Sequence, residues 1–517
     1  MRRPRHGSLF ACAGLLAVTA LGCARSADRA ASDRSTLTIL YGGDERVLGA
    51  EGRAYYTPAQ FLVFLPLVTQ SAEGELEPRL ARSWEHSPDH RTWTVRLRTD
   101  VRWHDGEPVT AHDVRFTMDL LRHPDILVEA PGAYSLEVLD DSTFTVTYHQ
   151  KSTYGLPASW GSIYNAIYPK HLLEGLEPGE FWDWDFWTRP VGNGPYRYVR
   201  HEPQTMVELE ANPDYYRGRP RIDRVVLKFG SSWVPELLSG GVDAAAYVDR
   251  MQLPALDGDP RFEVYHDILS TSVTALAWNH RRHFFRDARV RRALTLAIDR
   301  RELHRALNLP ADLPIFDVIF TDRQFRRGGL PAPLAYDPQE AVRLLEAAGW
   351  RNVDGDGVRE RAGEAFRFAL LVSGGLQRRA AVFIQNQLRE LGVQIEVIER
   401  ENHSQRVRNG EFDAAILPIF PGGGLGHDVL FGAESVLGYD NPAVVRLLGQ
   451  AAGTLDPDEI DRAYRELMPI FEAELPVTSL HPDVRTTVAH RRVRGLSSPH
   501  RAEPAWHVDD MWIDSPR

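Results

Sequence analysis

Apolar and polar residues alternate in short bursts along this chain. Residues 92–98, TWTVRLR, put Trp93, Val95 and Leu97 on one face, the two-residue period of a half-buried strand. Residues 142–148, STFTVTY, do the same through Phe144, Val146 and Tyr148. RVVLKF (224–229) and VQIEVIE (393–399) predict two more strands. Elsewhere the period lengthens to that of a helix. DARVRRALTLAIDRRELHRAL (287–307) carries Val290, Leu294, Ala297 and Ile298 at helical spacing. DPQEAVRLLEAAGW (337–350) opens with Asp337 at an N-cap and Pro338 in the first turn, and stops at Gly349, where a C-cap glycine belongs. RAAVFIQNQLRELG (379–392) ends the same way ahead of the strand at 393. The pattern predicts a mixed α/β protein with short connections and no internal repeat.

One stretch breaks this pattern. MRRPRH is a basic opening, and LFACAGLLAVTALGC (9–23) is a short apolar run ending in small residues, too short for an ordinary spanning helix. It resembles a bacterial lipoprotein signal, with TALGC as the lipobox, Ala20 where that pattern usually has Leu, and Cys23 as the lipidated residue. The only cysteines are Cys12 and Cys23, so cleavage before Cys23 leaves one cysteine and no internal disulfide. Residues 1–22 are then the signal peptide and 23–35 a small, polar tether. No second apolar run approaches membrane-spanning length.

Composition adds limits. A length of 517 residues suits two or three domains. A net charge of −11 makes nucleic acid and anionic membrane surfaces poor partners.

Candidate chemistry centres on RWHDGEPVTAHDVRF (102–116), with the pairs His104–Asp105 and His112–Asp113. Imidazole beside carboxylate is the equipment of a metal-dependent hydrolase. Local physics gives another reading. DGEP (105–108) is a turn, Thr110 is an N-cap, and Asp113 stands at capping-box spacing, with no ligand partner at i+3 or i+4. NVDGDGVRE (352–360) has the acidic spacing of a calcium loop, but its twelfth position is Gly363. FPGGGLGHD (420–428) completes no phosphate loop, and H-E-x-x-H, G-x-S-x-G and C-x-x-C are absent. The expectation is a protein that is not an enzyme, with no cofactor and no metal site.

The long segment PRLARSWEHSPDHRTWTVRLRTDVRWHDGEPVTAHDVRFTMDLL (78–121) resembles the signature region of the family 5 extracellular solute-binding proteins, receptors that feed ABC importers. VGNGPYRYVRHEP, ANPDYYRGRPRIDRVV, LAWNHRRHFFRDARVRRALTLAIDR, YDPQEAVRLLEAAGWRNVDGDGVRE, FDAAI and GYDNPAVVRLL continue the likeness in the family's order. The resemblance implies a type II periplasmic-binding-protein-like α/β fold of two lobes and a hinge. Lobe one would take 36–275 plus 480–517, with an extra subdomain at about 80–185, and lobe two 276–479. It implies a monomeric receptor, exported to the periplasm or cell surface, held to a membrane by lipid at Cys23, serving a permease and an ATPase. Expected ligand contacts are Tyr55, Tyr56, Trp160, Trp278, Asn279, His427 and Asp428. Peptide-binding relatives carry Trp-x-x-Asp-Tyr where PIFPGGGLGHDVLFG stands here, so the expected solute is peptide-like or another small organic solute, with no free amino terminus required. The alternatives are a nickel- or haem-type chelate receptor and, in another class, a metal-dependent hydrolase.

Overall fold

A computed structural model describes residues 35–41, 58–70, 76–123, 134–149, 166–181, 184–202, 205–321, 324–325, 328–419, 427–454, 456–496 and 508–514. The chain opens with β1 (Thr36–Tyr41) and a short helix, α1 (Pro58–Val63). A four-stranded antiparallel sheet follows, built from β2 (Ala81–His86), β3 (Thr92–Leu97), β4 (Tyr134–Asp140) and β5 (Thr143–Tyr148) in the order β2-β3-β5-β4. Its central pair is the one the alternation predicts. Trp93 faces Val146, Val95 faces Phe144, and all four are buried. Helix α2 (Ala111–Leu121) packs beside β4.

Four strands return the chain to β1: β6 (Tyr196–Glu202), β7 (Met206–Ala211), β8 (Arg224–Phe229) and β9 (Ala244–Ala246). The 17-residue strand β10 (Phe262–Trp278) then leads away. Beyond it come α3 (Ala288–Leu296), α4 (Arg300–Ala306), α5 (Pro338–Ala347), β11 (Arg367–Val372), α6 (Gly375–Glu390), β12 (Gln394–Glu399), β13 (Ala414–Ile419), α7 (His427–Phe431), α8 (Pro442–Gly453) and α9 (Pro457–Glu474). The 14-residue strand β14 (Val477–His490) brings the chain back.

The predicted helix over 287–307 is two helices. The side chain of Asp299 accepts from the N–H of Glu302 and caps α4, while Ala297 closes α3. The D-x-x-E spacing that starts a helix thus lies inside a run whose apolar period looks unbroken. The α5 prediction fits at both ends: Asp337 accepts from Glu340 N–H, and Gly349 takes φ +89°.

Ten strands form one sheet in the order β12-β11-β13-β10-β14-β9-β1-β8-β7-β6. Its two ends sit in different cores. Leu37, Val225, Trp93 and Phe144 share one core, while Leu276, Leu294, Trp350 and Phe368 share another. β10 begins at Phe262, packed with Val242 and Val488, and ends at Trp278 in the second core. β14 makes the reverse passage beside it. The β10–β14 ladder is irregular in between, with register shifts between Leu269 and Val273 and between Thr274 and Ala275. The divisions read from the sequence at 275 and 480 fall within these two strands.

Candidate functional site

The sheet's strand directions locate the site. β1 is parallel to β8 and β9. β9 is antiparallel to β14, and β14 to β10, so β10 runs the same way as β1. β13 is antiparallel to β10 and parallel to β11, which is parallel to β12. The carboxyl ends of the two parallel sets therefore point at each other. Open α/β sheets bind ligands outside such ends. Tyr41 pairs with Ala246, and Ala246 with Thr487; at the other side Ile419 pairs with Val273, and Val273 with Pro482. The stretch between them, residues 267–273 and 482–486, is the floor where both sets meet.

Polar groups gather on that floor. Asp483 accepts from the hydroxyls of Ser272 and, at 2.8 Å, Thr274, both on β10. Asp267 stands opposite Arg485 in the ladder. The Arg485 guanidinium lies 5.0 Å from the centre of the Tyr247 ring, and its Nη1 donates to Tyr247 Oη at 3.2 Å. Tyr247 follows β9 with φ +55°, a left-handed conformation rare for a bulky side chain. Its ring meets that of Tyr41, the last residue of β1, edge-on at 5.7 Å.

Helices of the second core hold the returning chain just ahead of the floor. His304 of α4 donates through Nε2 to Leu480 O at 2.9 Å, and burial pushes its pKa down to about 4. Arg300 pairs with Asp317, both buried, and donates to Ser479 O at 3.2 Å. Arg291 donates to Glu474 O and Leu475 O, just ahead of β14, and burial lowers its pKa to about 10. Each group holds a carbonyl of the returning chain.

Three of the residues expected to touch solute, Trp278, Asn279 and His427, lie elsewhere. Trp278 is fully buried, packed on Phe285 at 5.0 Å, and its Nε1 donates to Thr478 Oγ1 at 3.2 Å. It ends β10 inside the lobe-two core, so its ring is a packing element. Asn279 is buried too; its amide donates to Phe412 O at 2.7 Å and Gly410 O at 3.2 Å. His427 is buried beside Tyr464, 2.9 Å from its hydroxyl, and burial pushes its pKa down to about 3. It anchors α7 to α9. Asp428 lies on α7. Tyr55, Tyr56, Trp160 and Cys23 fall outside the described residues. The floor residues Tyr41, Tyr247 and Arg485 were not singled out in the sequence. The available signal was an aromatic residue at the end of each apolar strand, TLTILY and DAAAY.

The two His-Asp pairs are spent on the fold. His104 is partly buried, donating through Nε2 to Gly194 O at 3.0 Å, while Gly192 N–H donates to its Nδ1 at 3.3 Å. Burial pushes its pKa down to about 4. Asp105 accepts from Glu107 N–H and from His171 Nε2 at 2.8 Å. His112 faces solvent near Asp141, and Asp113 accepts from Thr110 N–H at 2.8 Å and Lys170 N–H at 2.9 Å. In the loop at 352–360 the side chains of Asn352, Asp354 and Asp356 each accept from a backbone N–H of the turn itself. Among the described residues no three His, Cys, Asp or Glu side chains are grouped to hold a metal ion.

A family profile matches residues 75–432: the bacterial extracellular solute-binding proteins, family 5 Middle. The chain belongs to this family. This family 5 protein is 24% identical over 467 residues to the oligopeptide-binding protein AppA of Bacillus subtilis, covering 84% of this chain and 83% of that one. It is 28% identical over 452 residues to the nickel-binding periplasmic protein of Escherichia coli, covering 80% and 83%. The structure of NikA from Brucella suis in complex with Fe(III)-EDTA superposes with a TM-score of 0.76 at 20% identity, over 93% of this chain and 100% of that one. The fold is thus the two-lobed α/β fold of these binding proteins. As a family member, the protein is the solute-binding component of an ABC import system, which works with a permease and an ATPase.

Proposed function

We propose that the protein captures a small organic solute, peptide-like or otherwise, between its lobes and closes over it by bending where β10 and β14 lose register. The observation that carries this reading is the opposition of two sets of strand carboxyl ends across a floor made of only two strands. Such a floor bends at little cost, and hinge closure around a ligand needs a few residues that absorb backbone change. Residues 36–275 with 480–517 form lobe one in this reading, and 276–479 lobe two. Cys23 carries the lipid, the receptor works as a monomer at the outer face of a membrane, and it delivers its solute unchanged. Side chains on the floor bind and orient the solute.

A second reading is supported by the nickel-binding relative: the solute is a metal chelate. Described histidines here already have partners: His266 with Thr486 Oγ1 at 3.0 Å, His481 with Pro482 O at 2.8 Å, His280 with Pro476 O at 3.2 Å and His427 with Tyr464. A chelate would therefore be held through the organic groups of its chelator.

Native mass spectrometry of protein purified without refolding tests both. A stoichiometric organic adduct supports the first reading, and an adduct whose mass includes a transition metal supports the second. Protein that carries nothing, and whose melting point no solute raises, contradicts both.

A further inference from the structure

We propose that Asp483 and Asn308 anchor two straps across the hinge, which set how far apart the lobes rest before any solute arrives. This deepens the reading of β10 and β14 as the hinge and rests on it. The ladder comes first. It runs in step from the pair Phe262–His490 to the pair Leu269–Asp483 and resumes at Val273–Pro482, so residues 270–272 of β10 have no counterpart on β14. A second slip follows between Thr274–His481 and Ala275–Ser479, where Leu480 is the surplus residue on β14. The two surpluses lie on opposite strands. Pro482, between them, brings no N–H to the ladder. The backbone is therefore least tied where the floor has to bend.

Side chains take over where ladder bonds are lost. The Ser272 hydroxyl donates to Asp483 Oδ2, and the Thr274 hydroxyl donates to Asp483 Oδ1 at 2.8 Å. One carboxylate thus holds the surplus segment at its last residue and just beyond it. Ser272 and Thr274 are both buried, and hydrogen bonds to a carboxylate are among the stronger ones. The second strap runs through neither strand. Asn308, just after α4, donates through Nδ2 to Arg250 O at 2.9 Å. Arg250 lies between β9 and β10, and its buried side chain donates through Nη1 to Val484 O at 2.7 Å, next to Asp483. Residue 308 belongs to lobe two and residue 250 to lobe one. These two hydrogen bonds therefore tie the lobes to each other and to β14 beside the slip. Asn308 stands at φ +53°, a conformation that asparagine accepts more readily than most residues. Turning one lobe against the other changes the distance from Asn308 to Arg250 directly, and the grip of Asp483 through the slip. Straps that favour one lobe separation change the apparent affinity for every solute by the same factor.

The experiment uses the mature chain with Cys23→Ser, which leaves no other cysteine, and spin labels at Leu139→Cys in lobe one and Val382→Cys in lobe two, both exposed. Double electron–electron resonance on protein stripped of solute reads the distribution of lobe separations. The strap variants are Asn308→Gly, which keeps the left-handed backbone and removes the donor, and Ser272→Ala combined with Thr274→Val. Thr274→Ser keeps the hydroxyl. The control is Thr117→Val, which deletes a buried acceptor of Tyr168 N–H at 2.8 Å inside lobe one. Each strap variant should change the ratio of narrow to wide separations by roughly two- to tenfold, the worth of one or two hydrogen bonds. Thr274→Ser and Thr117→Val should keep the wild-type distribution, the latter with a lower melting point. If the double variant does not fold, Asn308→Gly decides. A wild-type distribution in the strap variants overturns the proposal, and so does an equal change in Thr117→Val. No solute enters this measurement, so native mass spectrometry tests the receptor reading separately. An unchanged distribution in protein that carries a stoichiometric solute overturns the straps alone. A changed distribution in protein that never binds solute upholds the straps and overturns the receptor reading.

Discussion

Burial without charge is the state of the inner histidines. His104 and His304 are pushed down to about 4, and His280 and His427 to about 3, with burial the largest cause in each. A histidine whose folded pKa lies below its unfolded value of about 6.5 favours the fold fully above that value. Its contribution is lost as pH falls from there toward the folded pKa. Each such group is worth on the order of a few kcal/mol across that window, a large part of a domain's stability. Urea unfolding should therefore show a lower midpoint at pH 5 than at pH 7.5, and His104→Gln should flatten that dependence. A midpoint unchanged between the two pH values would contradict it. Asp113 is the second residue-scale case. Its buried carboxylate serves the N–H groups of Thr110 and Lys170, so Asp113→Ala should cost about 1–3 kcal/mol by chemical denaturation. This carboxylate was legible in the sequence because Thr110 is three residues away. The role of His104 was not, because its partners Gly192 and Gly194 lie far along the chain and nothing local marks them.

At the scale of elements, the segment Gly192-Asn193-Gly194 shows how a short loop is held to a helix. Asn193 N–H and Gly194 N–H both donate to Val63 O at the end of α1, and Asn193 Oδ1 accepts from Leu65 N–H at 2.8 Å. A Cβ at Gly192 would sit 1.9 Å from Val63 O, so the backbones touch only because no side chain intervenes. Gly192→Ala should destabilise lobe one by about 3 kcal/mol or more, while Gly175→Ala, where a Cβ meets open space, should be near neutral. Thermal unfolding of the two variants checks the contrast. Strands with a clear two-residue period were legible to within a residue, because one buried face dictates their pattern. The break between α3 and α4 was not, since the apolar stripe runs through it and a single side chain, Asp299, decides where one helix stops and the next starts. Trp278 and Asn279 were expected at the solute from the family resemblance; both are buried where β10 ends, Trp278 within the second core.

At the scale of the whole molecule, one sheet serves two lobes through a floor of two strands, and the proposed solute site lies between them. The family and the lobed plan were legible in long ordered motifs, whereas the floor was not, because it is made by residues more than 200 apart, such as Thr274 and Asp483. Ligand favouring the closed form can shift that equilibrium only by its differential contacts with the two forms. The direct measurement is small-angle X-ray scattering of the mature chain, stripped of solute and then resupplied with the solute found by native mass spectrometry. A smaller radius of gyration is expected on resupply, reversed on stripping, and lost when a disulfide engineered across the lobes locks them. A solute that binds stoichiometrically while the radius stays the same would contradict it.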